Sequence, residues 1–178
     1  NQFYTNTIFF GAYYDFEFHW TNSSKEMAIS NFSNSKKLII SGPVNCVKKN
    51  KFQLVKKNKI IFFPTSFNNN ITNSVNNKKD HYDFLNIVST VLERFPKAEV
   101  VYKCKNPLNE YKKDKIFKEF IIKLIKNKNF KVIEYNKPFY DEYFSSNVVV
   151  CMAFTSPGIE ALYHDKHTLY VDLSKKFK

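Results

Sequence analysis

Glycine is scarce in this chain, at three in 178 residues. Neither the GxGxxG dinucleotide fingerprint nor the GxxxxGK[ST] phosphate loop occurs, so neither motif can carry the function. Arginine is scarcer still: Arg94 stands alone, and every other basic side chain is lysine. The formal net charge of +12 invites a nucleic-acid reading. Base and phosphate-fork recognition, however, usually recruits the planar donors of arginine. Lysine and asparagine enriched together, as in Asn68-Asn69-Asn70 and Asn76-Asn77, fit the codon bias of an AT-rich genome. A solvated lysine surface is therefore expected, with no specific nucleic-acid partner.

Cysteine is limited to Cys46, Cys104 and Cys151, with no CxxC pair. Cys104 and Cys151 lie inside apolar strand-like runs, where thiols act as small core residues. A reducing compartment is expected. No apolar run approaches the ~18 residues that a membrane span needs, and no basic segment followed by an apolar stretch opens the chain. A cytoplasmic location is the default expectation.

Core-forming material is plentiful. Apolar residues make up 43% and aromatics 17%, including 19 Phe and 11 Tyr, which excludes disorder over the whole length. From residue 59 onward, short apolar runs alternate with helical stripes. Ile60-Ile61-Phe62-Phe63 ends at Pro64 as a buried strand. Phe84, Val88, Val91, Leu92 and Phe95 mark a helix, and Val100-Val101-Tyr102 a second strand. Ile116, Phe117, Phe120, Ile121, Leu124 and Ile125 mark a second helix. Residues 130–135 are a third strand, and Pro138 opens a short helix as its first residue. Val148-Val149-Val150-Cys151-Met152 is the strongest buried strand, followed by a helix from Pro157 to about His164. Thr168 to Val171 is the fifth strand.

This succession predicts an α/β, Rossmann-like, three-layer αβα domain with a parallel sheet and right-handed crossovers. Uniformly apolar runs suit strands covered on both faces. With strand order 3-2-1-4-5, ligands would bind beyond the carboxyl ends of the first and fourth strands. Residues 1–45 fit that unit poorly. Residues 7–10 and 38–40 look like strands and residues 25–32 like a helix, so the segment is expected to be the tail of a preceding domain or an N-terminal extension. Residues 46–58 are expected as a linker and residues 59–178 as the Rossmann-like domain. Residues 68–79 form a long polar loop after the first strand.

The chemistry is expected where the fourth strand meets its helix, at Thr155-Ser156-Pro157-Gly158. Ser156 suits a helix cap and Pro157 the first helical residue. Gly158 removes a side chain where a ligand could approach. Free N–H groups and the helix dipole make such a terminus an anion site, although a well-capped helix alone would explain Ser156 and Pro157. Glu160 comes four residues after Ser156, one too many for a reciprocal capping box. One turn of ~5.4 Å would put its carboxylate a ribose away from a phosphate held at Ser156. Thr65 and Ser66, after the first strand, face the same crevice or serve as turn residues. Lys103 ends the second strand, reaching a phosphate or simply solvated.

His164 and His167 flank Asp165 without a third ligand, so no metal is expected. His19 beside Trp20 packs or lies on the surface, and Asp141-Glu142 suits a helix's first turn.

The run from residue 59 to 172 resembles the C-terminal, donor-binding domain of GT-B-fold glycosyltransferases. It is similar to those of bacterial surface-polysaccharide synthesis and to polyol-phosphate transferases. The matching pieces are residues 59–66, the strand ending at Lys103, residues 143–160 with their Ser-x-x-x-Glu helix start, and Thr168-Leu169-Tyr170-Val171-Asp172. The resemblance implies a transferase for a nucleotide-activated sugar, acting without a cofactor on a glycan or glycolipid acceptor. Peripheral association with the inner membrane face would fit that role. It assigns the donor's phosphates and ribose to Thr155, Ser156, Gly158 and Glu160, opposite Thr65 and Ser66. Lys103-Cys104-Lys105-Asn106-Pro107 lacks the histidine usual in polyol-phosphate members, which counts against that branch. The catalytic base is not assigned. A sugar-nucleotide 2-epimerase-like enzyme and a non-catalytic nucleotide- or nucleic-acid-binding module are the alternatives.

Overall fold

The computed structural model describes residues 15–19, 21–30, 35–41, 58–66, 77–152 and 155–173. The chain divides into two compact units, Asn1–Val47 and Lys48–Lys178.

In the first unit, β1 (Phe16–His19), α1 (Asn22–Ser30) and β2 (Lys37–Ile40) form a βαβ arrangement. The strands pair in parallel, Phe16 opposite Lys37 and His19 opposite Ile40. β2 falls where an apolar run announced it. β1 was not expected, because Phe-Glu-Phe-His alternates too briefly to stand out. α1 begins three residues earlier than the sequence suggested, since the Thr21 hydroxyl accepts from Ser24 N at 3.1 Å and caps it. His19 is buried at the end of β1. The expected strand at residues 7–10 lies outside the described residues, as does the expected linker apart from Asn58.

The second unit is a five-stranded parallel sheet in the order β5-β4-β3-β6-β7. Its strands are β3 (Lys59–Phe63), β4 (Glu99–Lys103), β5 (Phe130–Ile133), β6 (Val148–Met152) and β7 (His167–Val171). Counted from residue 59, this is the common 3-2-1-4-5 order, on which the expected position of the ligand crevice was conditional. Between the strands run α2 (Lys78–Arg94), α3 (Leu108–Lys112), α4 (Lys115–Ile125), α5 (Tyr140–Ser145) and α6 (Ser156–Tyr163).

Successive strand residues serve opposite faces. Phe62, Val100, Tyr102, Val150 and Met152 join Phe84, Val88, Tyr111 and Phe117 in one core layer. Ile61, Phe63, Val101, Val149 and Cys151 join Tyr143 and Ala161 in the other. Helices α2, α3 and α4 thus cover one face and α5 and α6 the other, which makes the unit a three-layer Rossmann-like domain.

Several boundaries differ from the sequence expectation for local reasons. α2 takes in Lys78 and Lys79, expected as loop, because Asn77 and Asp80 form a reciprocal capping box. Phe95 and the two ends of α4's stripe, Ile116 and Ile125, are exposed. α3, not expected at all, brings Tyr111 into a stack on Phe117 with centroids 4.4 Å apart. Pro138 precedes α5 rather than opening it, the cap position falling to Phe139. β5 stops at Ile133, and the next two carbonyls, of Glu134 and Tyr135, accept from Lys103 Nζ.

Tyr102 is fully buried, and its hydroxyl finds no hydrogen-bond partner among the described residues. An unmade hydrogen bond in a core costs about 1–3 kcal/mol. Tyr102→Phe is therefore expected to stabilise the chain by about 1 kcal/mol, read as a higher urea midpoint at unchanged slope.

Candidate functional site

In an open parallel sheet, the crossovers leave adjacent strands in opposite directions at one point, opening a crevice beyond their carboxyl ends. Here that point lies between β3 and β6, which pair with Phe63 opposite Cys151. β3 crosses over to β4 on one side, and β6 to β7 on the other. The residues that follow, Thr65 and Ser66 after β3 and Thr155 and Ser156 after β6, are therefore brought to the same edge of the sheet.

At α6 the cap differs in detail from the expectation. Thr155, with φ −88° and ψ 143°, occupies the cap position, and Ser156 is the first helical residue. Thr155 makes no side-chain capping bond. Its hydroxyl oxygen is buried without a well-formed hydrogen bond among the described residues. Burial pushes the Cys151 thiol up to about 11, and the Thr155 hydroxyl beside it opposes that rise.

Gly158 has a structural explanation. A Cβ at this position would come within 2.3 Å of the Tyr170 hydroxyl oxygen and 2.5 Å of its Cζ. The missing side chain makes room for the phenol of β7, and the Gly158 N–H is already donated to the Thr155 carbonyl at 3.1 Å. Gly158→Ala forces Tyr170 to swing aside. A loss of about 1 kcal/mol is expected, at the low end for overpacking because the obstacle is a side-chain tip. Urea unfolding checks this: Tyr170→Ala in the same chain should remove most of the penalty.

Glu160 carries the site's main anomaly. It is 6% exposed, and its carboxylate makes no hydrogen bond or ion pair among the described residues. Burial raises its pKa above the usual 4.5. Buried carboxylates are ordinarily paired, because desolvating an isolated charge is costly. Glu160 is thus a largely buried acid with no partner among the described residues.

Lys103 is also buried, at 8% exposure. Its ammonium donates to the carbonyls of Glu134 and, at 2.8 Å, Tyr135, with the Phe139 ring centroid 5.9 Å away. Burial lowers its pKa. No carboxylate pairs with it among the described residues. It is neither a solvated strand end nor a lysine extended freely into the crevice.

Two residues were missed at this edge. His81, in the first turn of α2, is 2% exposed with Nε2 3.4 Å from Thr65 Oγ1. Burial lowers its pKa to about 4 despite the neighbouring Asp80, so it is neutral at physiological pH. The sequence held a signal for it: His81 shares the stripe of Phe84, Leu85, Val88 and Leu92. Tyr170 gave no sequence signal, because its approach to Gly158 exists only in the packed fold.

Of the other candidates, His167 is exposed and Glu142 pairs with Lys59 and Lys131. His164 stacks edge-on against Phe144 and Tyr143, at 5.6 and 6.4 Å. No three His, Cys, Asp or Glu side chains gather as a metal site among the described residues. No helix among them is long and apolar enough to cross a membrane.

Fold and crevice together define a Rossmann-like α/β protein with its candidate site at the β3–β6 switch. Residues 7–178 match the family described as polysaccharide biosynthesis PFTS motif protein. The chain belongs to that family. Ala153-Phe154-Thr155-Ser156 reproduces three of the four letters of the motif in that description. No curated protein is matched. Among solved structures, the chain resembles S. aureus MnaA in a co-structure with UDP, with a TM-score of 0.59 and 16% identity. That likeness covers 89% of this chain and 42% of the other, so the chain spans less than half the length of the protein it resembles.

Proposed function

We propose that this chain is the donor-binding half of a glycosyltransferase of the GT-B type. It would pass a sugar from a nucleotide-activated donor to a surface-polysaccharide or glycolipid acceptor at the cytoplasmic face of a bacterial membrane. The observation that carries this reading is Glu160, a largely buried acid with no partner among the described residues, one turn into the helix that starts at the sheet's switch point. Two ribose hydroxyls would donate to it and supply the missing hydrogen bonds. The N–H of Ser156 and the hydroxyls of Thr155 and Ser156 would meet the diphosphate, with the dipole of α6 behind them. Thr65 and Ser66 would face it from β3. Lys103 would add positive potential from the end of β4 while remaining on its two carbonyls. Gly158 would act through close packing with Tyr170 rather than by touching the ligand.

Membership of a polysaccharide-biosynthesis family and the fold shared with a UDP-bound protein support this reading. The first unit fits it as the end of a preceding α/β domain. Among its described residues are two parallel strands and one helix, with Phe16 and Phe18 56% and 60% exposed. Catalysis would consist of positioning plus stabilisation of the departing nucleoside diphosphate, with no cofactor.

The test supplies radiolabelled UDP-sugars and a membrane extract to the protein that carries this chain. Label entering the glycolipid or polysaccharide fraction with release of UDP is the expected result. Inversion of the sugar at C2 without transfer would identify an epimerase instead. Binding of nucleic acid without nucleotide, lost steeply with salt, would identify a binding module.

A further inference from the structure

The hydroxyls after β3 do not stand by themselves. Thr65 Oγ1 lies 3.4 Å from His81 Nε2 and 3.6 Å from Met152 Sδ, so it touches both α2 and the end of β6. The backbone of Ser66 also lies beside the His81 ring and opposes the fall of its pKa. One imidazole from the first turn of α2 therefore contacts both candidate residues of the β3 loop. Its own position is fixed twice. The capping box of Asn77 and Asp80 sets the start of the helix, and burial among Phe84, Leu85 and Val88 sets the face.

We infer that His81 is a positioning residue for the nucleotide site, which holds Thr65 and Ser66 toward the diphosphate. The inference rests on the function proposed above. Neutrality suits the role. A neutral ring offers one donor and one acceptor, and the hydroxyl of Thr65 can complete either tautomer by donating or accepting. A protonated ring would have only donors and would put a second buried charge beside the capping box. A purely packing histidine would not need to meet both residues of the loop, and phenylalanine would serve its stripe position as well.

The experiment compares wild type with His81→Phe and His81→Asn. The readouts are hydrogen exchange at the Thr65 and Ser66 amides without nucleotide, and calorimetric titration with UDP. The expected result for His81→Phe is faster exchange at these amides with core strands unchanged, and UDP affinity lower by about three- to tenfold, the worth of one neutral hydrogen bond. His81→Asn, which retains a donor and an acceptor, should recover much of both. Thr65→Val should weaken UDP binding in the wild type and add little in His81→Phe. Unchanged UDP affinity in His81→Phe overturns the positioning role while leaving the nucleotide reading intact. Equal slowing or hastening of exchange throughout the domain also overturns it, since that marks a stability effect. Failure of wild type to bind UDP overturns the nucleotide reading itself, and the ligand assigned to these hydroxyls with it.

Discussion

Glu160→Gln is expected to weaken UDP binding by roughly ten- to a hundredfold, because hydrogen bonds to a charged acceptor contribute about 1.5–3 kcal/mol. The same substitution should make the unliganded chain more stable at neutral pH. The wild-type acid is largely buried with no partner among the described residues, and burial holds its folded-state pKa above the usual 4.5. Between those two values the folded chain binds more protons than the unfolded one, so stability falls as pH rises. The wild-type penalty is absent below the unfolded value and complete above the folded one. The advantage of the glutamine should therefore be present at pH 7 and fade toward pH 4. Opposite movements of affinity and melting temperature separate a ligand-binding carboxylate from a structural one. Calorimetry and thermal melts at both pH values check the pair.

Lys59→Met is expected to cost about 2–4 kcal/mol, somewhat less than the ~3–5 kcal/mol for breaking a fully buried ion pair, because its carboxylate partners keep some exposure. Lys59 begins β3, at the end of the sheet away from the crevice. Its ammonium lies 2.6 Å from Glu142, 3.2 Å from Glu99 and 3.0 Å from the Ser145 hydroxyl. Lys131 also pairs with Glu142. Burial alone would raise the Glu142 pKa, but Lys131 and Lys59 outweigh it and hold the carboxyl below the usual value. A depressed carboxyl contributes stability above its unfolded pKa and loses it as pH falls through the folded one. Lys59, disfavoured by burial but raised overall by Glu142 and Glu99, contributes below 10.5 and loses its contribution as pH rises through its folded value. Urea melts at pH 7 should show the loss in full, shrinking under acid as Glu142 protonates. UDP affinity should be unaffected, because the network stands at the far end of the strands.

How legible the molecule was depended on whether a feature was local. The central strands β3 and β6 read most clearly because both of their faces are covered, so Ile60–Phe63 and Val148–Met152 are unbroken apolar runs. The parallel pairing of the sheet's strands followed from the succession of strands and helices, while their order was only the common one for such a sheet. β1 stayed hidden because half of it is exposed, and α3 because five residues between lysines show no period. Thr155, Ser156 and Glu160 could be singled out from the turn chemistry. The burial of Glu160 could not, since a glutamate in the first turns of a helix looks the same whether it faces water or the sheet. Lys103 likewise gave no sign of the two carbonyls that hold it. Those carbonyls belong to residues 134 and 135, 31 and 32 positions away. Glu142 was read as a helix-start acid, which its place in α5 allows, but its pairing with Lys59 joins residues 83 apart. Asn77-x-x-Asp80 was legible and would have placed His81 on the inner face of α2.

Calorimetric titration of the wild-type chain with UDP and, in parallel, with uridine tests the central claim most directly. Saturable one-to-one binding of UDP, at least about tenfold tighter than uridine because only UDP reaches the start of α6, is the predicted result. No heat with UDP, or equal affinity for the two, would contradict a nucleoside-diphosphate site at the β3–β6 crevice.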